Sequence, residues 1–137
     1  MIEIIAGKKG SGKTKKLLDQ VNLAAQQSRG NIIFIDDDKD YLYDVSSKVR
    51  FIDASEYDID SPKMFYGFLC GLAAQDYDLE AIYIDAFVRI VKHPMDELEW
   101  LFEHMMILAD KAGLKLVLSV SEDAGKLPEY AKKYLQA

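Results

Sequence analysis

Short apolar runs alternate along the chain with longer segments in which apolar residues recur at helical spacing. The runs are rich in β-branched residues and predict strands at residues 2–6, 31–35, 50–52, 81–84 and 116–120. Most are continuously apolar rather than alternating, as expected for strands covered on both faces. Strands separated by helices predict parallel βαβ units. The pattern therefore predicts the α/β class, as a three-layer α/β/α sandwich with a mainly parallel sheet of about five strands.

The predicted helices lie between these strands and after the last one. They cover residues 14–28, a segment that begins at Ser61-Pro62, residues 95–112 and residues 128–136. Ser61 supplies a capping hydroxyl, and Pro62 suits the first turn of a helix. The expected buried stripe of this helix is Met64, Phe65, Phe68, Leu69, Leu72 and Ala73. Residues 39–48 are polar and predict a loop or a short helix.

The segment between the first strand and the first helix reads GKKGSGKT, which fits the pattern G-x-x-x-x-G-K-[ST]. It consists of Gly7, Lys8, Lys9, Gly10, Ser11, Gly12, Lys13 and Thr14. Glycines allow backbone N–H groups to surround phosphate oxygens, and the following helix directs its positive end at the same place. We expect Lys13 to contact the β- and γ-phosphates of a nucleotide and the Thr14 hydroxyl to bind Mg²⁺.

The second part of the predicted site is Asp85, which ends the apolar run AIYI. A carboxylate at this place is expected to hold Mg²⁺ together with Thr14. With both motifs the chain resembles P-loop NTPases, in particular small bacterial P-loop proteins of unassigned role. The layout from YIDAF through LADKAG to LKLVLSVSED is similar to the RecA-like and thymidine-kinase-like cores. The resemblance implies the P-loop NTPase fold, ATP and Mg²⁺ as ligands, and Lys13 and Asp85 as catalytic residues.

The chain departs from these families directly after Asp85. Many P-loop ATPases and thymidine kinases have a glutamate there, which orients water or accepts a proton, whereas this chain has Ala86. The acids Asp37, Asp38 and Glu122 follow neighbouring strands and either replace that glutamate or are solvated loop residues.

Several other residues near the strand ends have two interpretations each. Ser119 and Ser121 either sense the γ-phosphate or cap the following turn, and Arg89 is a candidate phosphate ligand. Tyr41 and Tyr43 either stack on a ligand or are solvated, and His93 is a weaker candidate for the active face.

The loop sequence is also similar to the G-K-G-G-x-G-K-T loop of chromosome-partitioning and septum-site ATPases. That resemblance places Lys8 at the position of their signature lysine, which reaches the nucleotide of a dimer partner. The alternative is that Lys8 is an exposed lysine that phosphate merely attracts. Lys9 stands where those proteins have glycine.

Composition narrows the classes of function. Half of the 137 residues are hydrophobic, so a core for one domain, residues 1–137, is expected. Acids outnumber bases 23 to 17, so nucleic acid is not expected as a partner. Cys70 is the only cysteine, which excludes an intramolecular disulfide and favours a cytoplasmic location. Neither a targeting segment nor a membrane span is predicted.

Trp100, His104 and Ile107 recur at helical spacing on the third predicted helix, opposite its expected core stripe. They either form a contact for a homodimer or protein partner, or pack on a neighbouring helix. The sequence thus predicts a MgATP-binding protein that is a slow ATPase or a nucleotide-dependent switch. The alternatives are a kinase for a nucleoside or another small molecule, and a nucleotide-binding module without turnover.

Overall fold

Five parallel strands form one sheet in the computed structural model, which describes residues 1–136. The strands are β1 (Ile2–Ala6), β2 (Asn31–Asp36), β3 (Arg50–Asp53), β4 (Leu79–Ile84) and β5 (Lys115–Val120). They lie in the order β1-β5-β4-β2-β3, and every neighbouring pair is parallel. The α/β class and the parallel five-stranded sheet are therefore confirmed.

Helices connect the strands, except β2 and β3, and also follow the last strand. They are α1 (Lys13–Gln27), α2 (Pro62–Ala74), α3 (Phe87–Val91), α4 (Glu99–Ala112) and α5 (Glu129–Lys132). Short 3₁₀ turns lie at Leu42–Asp44, Ala54–Tyr57, Met95–Glu97 and Ala124–Lys126. Within residues 1–136, none of the helices is both long and apolar enough for a bilayer span. The cytoplasmic location stays a prediction.

The two faces of the sheet are covered by different helices. Successive residues of a strand point to opposite faces, so alternate side chains of each strand join different clusters. Leu17, Val21 and Ala25 of α1 pack with strand residues such as Phe34 and Val117. The other cluster combines the alternate strand residues with buried side chains of the remaining helices. The continuously apolar runs are explained by this double coverage.

Two predicted helix boundaries were wrong. The third predicted helix does not begin at residue 95, because Met95–Glu97 is a 3₁₀ turn and the non-helical backbone of Leu98 separates it from α4. The last predicted helix ends early, at Lys132. Residues after it run beside β1, where the Ile4 N–H donates to the Tyr134 carbonyl at 2.7 Å and the Gln136 N–H donates to the Ile4 carbonyl at 2.9 Å. Hydrogen bonds to the sheet edge thus replace those of the predicted helix.

Other details also differ from the prediction. The short helix α3 was not predicted, and it begins directly after Ala86, whose left-handed φ of 54° turns the chain out of β4. The predicted stripe of α2 was too wide, since Phe65 and Leu69 are buried but Met64 is 44% exposed. The predicted capping of α2 is confirmed, because the Ser61 hydroxyl accepts a hydrogen bond from the Met64 N–H at 3.2 Å.

Candidate functional site

The glycine-rich loop lies at the carboxyl end of β1 and leads directly into α1, which begins at Lys13. Gly10 and Gly12 have φ of 83° and 89°, a left-handed conformation in which other residues are strained. A Cβ atom at Gly7 would overlap the Ser11 hydroxyl, so the Ser11 side chain would have to move. The glycines therefore allow the backbone conformation of a loop that lies at the N-terminus of α1. A loop at this place is suited to binding an anion.

The two lysines that follow Gly7 and the lysine that begins α1 occupy different places. The Lys13 ammonium donates to the Lys8 carbonyl at 3.0 Å, so its side chain folds back over the loop. The Lys8 ammonium lies 3.7 Å from a carboxylate oxygen of Asp123, in the segment after β5. Lys9 lines the same cleft as Lys13. The Lys13 side chain therefore lies against the loop backbone, whereas the Lys8 side chain contacts an acid outside the loop.

Thr14 and Asp85 are brought together although 71 positions separate them in the sequence. The Thr14 hydroxyl donates to Oδ2 of Asp85 at 2.9 Å, and the Ser119 hydroxyl donates to Oδ1. The Ser119 oxygen in turn accepts from the Ala86 N–H at 3.1 Å. Asp85 is only 5% exposed, so its carboxylate oxygens contact these hydroxyl donors rather than bulk water. A hydroxyl and a carboxylate are hard oxygen ligands of the kind that Mg²⁺ prefers, so the two residues fit that ion.

The sheet order explains why Ser119 belongs to this group. β5 lies between β1 and β4, so the carboxyl end of β5 separates the glycine-rich loop from Asp85. Ser119 bridges that gap as a buried residue whose hydroxyl contacts Asp85 and the Ala86 N–H, and its predicted role as a γ-phosphate sensor stays a prediction. Ser121, which lies two residues after Ser119 in the sequence, also lines the cleft.

A further aspartate, Asp36, lies beside Asp85 and was not singled out as a site residue from the sequence. It ends β2, the neighbour of β4, in the register that pairs Ile35 with Ile84. The side chain is 2% exposed, and burial together with the adjoining Asp37 carboxyl raises its pKa to about 8. The sequence did carry a signal, because Phe34-Ile35-Asp36 and Tyr83-Ile84-Asp85 are the same aromatic-Ile-Asp pattern at the ends of two strands.

The acids proposed to replace the missing glutamate are placed differently from one another. Asp37 is paired with Arg89, whose Nε lies 3.0 Å from Oδ2 of the carboxylate. Asp38 lines the cleft, and one of its oxygens accepts from the Asp40 N–H at 2.9 Å. Glu122 is an exposed residue at the far side of the cleft.

The remaining candidates from the sequence are divided between the cleft and its surroundings. Tyr41 lines the cleft, whereas Tyr43 is almost fully exposed. A ring nitrogen of His93 lies 3.0 Å from the Val91 carbonyl, so this histidine contacts the end of α3. Of the two tyrosines, only Tyr41 is thus placed to contact a ligand in the cleft.

All of these strand ends open into one cleft of about 950 Å³. Lys9, Lys13 and Lys15 line the cleft, and so do several aspartates that include Asp36 and Asp85. The volume is within the usual range for small-molecule sites. The cleft thus offers both cationic and anionic side chains to a ligand.

Trp100 and His104 pack on α2, and each leaves part of its surface free. The two rings stack with centroids 4.0 Å apart, and the ring of Tyr66 from α2 meets both edge-on. Trp100 is still 39% exposed, and Ile107 is 59% exposed. The packing interpretation is therefore confirmed for Trp100 and His104, while Ile107 contributes apolar surface to solvent.

Two comparisons with known proteins found no match for this chain. No protein-family model matches it, and no curated protein is significantly similar to it. The function is therefore inferred from the chain's own residues.

Proposed function

We propose that this protein binds MgATP between the glycine-rich loop and Asp85, and that it has the P-loop NTPase fold. The observation that carries the proposal is the 2.9 Å hydrogen bond between Thr14, in the first turn of α1, and Asp85, at the end of β4. The motif match and the strand-end aspartate are separate features of the sequence, and a shared ligand accounts for their meeting in one cleft.

Each residue has a distinct role in the proposed complex. The backbone N–H groups of residues 7–14 and the N-terminus of α1 bind phosphate oxygens. Lys13 exchanges its contact with the Lys8 carbonyl for the β- and γ-phosphates, while Thr14 and Asp85 hold Mg²⁺. Bound Mg²⁺ would neutralise phosphate charge and so assist phosphoryl transfer.

Within this proposal, the protein is a slow ATPase or a nucleotide-dependent switch rather than a fast hydrolase. The residue after Asp85 is Ala86, which has no group that can orient water. Its N–H is bonded to Ser119, which donates to Asp85, so the proposed metal ligand is connected directly to the start of α3. Arg89 on α3 is held by Asp37 and would be drawn toward a γ-phosphate. A partner that contacts α3 would then distinguish the ATP and ADP states.

Thermal unfolding with MgATP, and with MgGTP for comparison, tests the binding proposal. ATP at about 100 times its Kd adds roughly 2.7 kcal/mol and should raise the Tm by roughly 6–14 °C. In Lys13→Ala this shift should disappear while the Tm without nucleotide is kept, because Lys13 faces the cleft and not the core. Lys16→Ala is the matched control, since it removes the same charge from the same helix.

An unchanged ATP-dependent shift in folded Lys13→Ala protein would refute the site. Slow ATP consumption without an added acceptor would support the ATPase or switch. Consumption only with an added small-molecule acceptor would indicate a kinase, and binding without any consumption would indicate a module without turnover.

A further inference from the structure

A second group of carboxylates lies across the cleft from the glycine-rich loop. Asp36, Asp37 and Asp38 are consecutive, and one carboxylate oxygen from each lies within 4.8 Å of the others. Ca²⁺ binds oxygens at 2.3–2.6 Å, so ligands on opposite sides of one such ion are about 4.8 Å apart. The spacing of the three oxygens is therefore compatible with a single coordination sphere.

Two of these side chains hold buried oxygens that lack a partner. Within residues 1–136, Oδ2 of Asp36 and Oδ1 of Asp37 are buried and receive no hydrogen bond. The Asp36 side chain as a whole is almost completely buried. Buried polar atoms in proteins nearly always have a partner. Two neighbouring carboxylate oxygens without donors therefore indicate a ligand that is positively charged.

The other oxygen of each aspartate is already used to position the side chain. Oδ1 of Asp36 accepts from the Asp37 N–H at 2.8 Å, Oδ2 of Asp37 pairs with Arg89, and Oδ1 of Asp38 accepts from the Asp40 N–H. Each carboxylate is thus fixed through one oxygen. Fixed carboxylates require less ordering when an ion binds than flexible ones do.

We propose that Asp36, Asp37 and Asp38 bind a hard divalent cation in the absence of nucleotide. The ligands are all carboxylate oxygens, which select Mg²⁺, Mn²⁺ or Ca²⁺ over softer metals. Arg89 pairs only with Asp37, so it neutralises part of the negative charge that the three carboxylates can carry, and a divalent ion would compensate the remainder. The group lines the open cleft, which allows the ion to enter from solvent.

This cation site is different from the one formed by Thr14 and Asp85. Both oxygens of Asp85 receive hydroxyl donors, whereas Asp36 and Asp37 each have an oxygen without one. The Thr14 and Asp85 site is completed by nucleotide phosphates, but the proposed site needs none. It therefore does not depend on whether the protein binds ATP.

The experiment is a titration of the nucleotide-free protein with Mn²⁺, followed by the loss of the free-ion signal in electron paramagnetic resonance. We expect one Mn²⁺ per chain with a Kd below about 1 mM, the weak end of carboxylate sites. Asp38→Asn and Asp36→Asn should each weaken binding at least about tenfold, since each removes a ligand charge from the site. Asp38→Asn keeps the oxygen that accepts from the Asp40 N–H, so it is the variant least disturbing to the loop.

Two further variants separate the alternatives. Asp40→Asn removes the same charge from the same loop but no proposed ligand, so its affinity for Mn²⁺ should stay within about threefold of the parent. Lys13→Ala should retain Mn²⁺ binding even though it loses ATP binding, which keeps this test independent of the proposed function.

The proposal is overturned if the parent protein binds Mn²⁺ only above about 1 mM, or if Asp40→Asn is as damaging as Asp38→Asn. The second result would mean diffuse attraction by an acidic cleft. Binding that survives both Asp36→Asn and Asp38→Asn but is lost in Asp85→Asn would place the ion with Thr14 instead.

Discussion

Asp36 and Asp85 have similar sequence surroundings and neighbouring places in the sheet, but different contacts. Both oxygens of Asp85 accept from hydroxyl groups, whereas Asp36 accepts only from the Asp37 N–H. Burial without compensating donors disfavours a charged carboxylate. The pKa of Asp36 is accordingly raised to about 8, so the metal-free protein carries a proton there at neutral pH. Each aspartate leads to one prediction.

Asp36 should make the stability of the metal-free protein fall as the pH rises. Its folded pKa of about 8 exceeds the unfolded value of 3.8, so the folded state binds an extra proton between about pH 4 and pH 8. The stability from that proton is complete below pH 4 and is lost as the pH rises through 8, by at most about 1.4 kcal/mol per pH unit. Urea unfolding of the parent and Asp36→Asn from pH 5 to 8, with chelator, measures the difference.

The two proteins differ only at residue 36, so the comparison isolates the contribution of Asp36. Parallel stability profiles for the two proteins would contradict the assignment. A flatter profile for Asp36→Asn is the expected result.

Asp85→Asn should lower the affinity of the ATP complex for Mg²⁺ by about 10–100-fold, the range seen when a group that supports a bound metal is replaced. ATP binding should then depend less on the Mg²⁺ concentration. Asparagine keeps an oxygen that can accept from one of the two hydroxyl donors, Thr14 and Ser119, so the fold should survive. Calorimetric ATP titrations at several Mg²⁺ concentrations measure the effect. Full Mg²⁺ dependence in this variant would show that another carboxylate holds the metal.

At the scale of elements, the ends of helices are determined by different kinds of interaction. The start of α2 is local, because the Ser61 hydroxyl accepts from the Met64 N–H and Pro62 occupies the first turn. The start of α3 is not local in this sense, since it follows a left-handed Ala86 whose N–H is bonded to Ser119 from another strand. A helix start that is capped locally can be predicted from the sequence. Predicting the start of α3 also requires the position of the neighbouring strand β5.

Ser61→Ala should lower the free energy of unfolding by about 1 kcal/mol, within the 0.5–2 kcal/mol range for lost N-terminal caps. The variant leaves a helix N–H without its side-chain acceptor. Urea unfolding measures the change, and Ser47→Ala in an exposed turn is the control, expected to change stability by less than about 0.5 kcal/mol. Equal effects for the two variants would argue against the cap.

At the scale of the whole molecule, the chain after α5 returns to the first strand. Tyr134 and Gln136 flank the Ile4 backbone and bond to it on the edge of the sheet that β1 would otherwise expose. The Tyr134 ring stacks on Phe102 of α4 with centroids 5.5 Å apart. The segment therefore joins the edge of the sheet to α4, on the face of the sheet that also packs against α2, α3 and α5.

Removing residues 134–137 should destabilise the protein by about 2 kcal/mol or more, because it removes the two backbone hydrogen bonds to Ile4 and the aromatic contact with Phe102, among other contacts. It should also promote association through the uncovered edge of β1. Chemical unfolding and light scattering measure these two effects. Gln136→Ala is the control, because it loses the side-chain bonds to Gln20 and Glu3 but keeps the backbone bond. A truncation no worse than this substitution would contradict the role of the edge pairing.

Local pattern was sufficient for the strands, the parallel sheet and the position of the glycine-rich loop. Those features depend on residues close in sequence, through apolar spacing, caps and glycines that allow left-handed backbone. Local pattern was not sufficient to predict which residue lies beside Asp85. β4 pairs with both β2 and β5, so strand order and register together decide which acids lie near Asp85. They bring the buried Asp36 of β2 beside it, whereas Glu122, two residues beyond β5, is exposed.

The end of the last helix was likewise decided by tertiary contacts. Residues after Lys132 have a helical pattern, but the free edge of β1 offers them hydrogen bonds that a lone helix turn cannot match. Ser119 enters the site because β5 lies between β1 and β4. Strand pairing joins residues far apart in sequence, and no short-range pattern records which strands will meet.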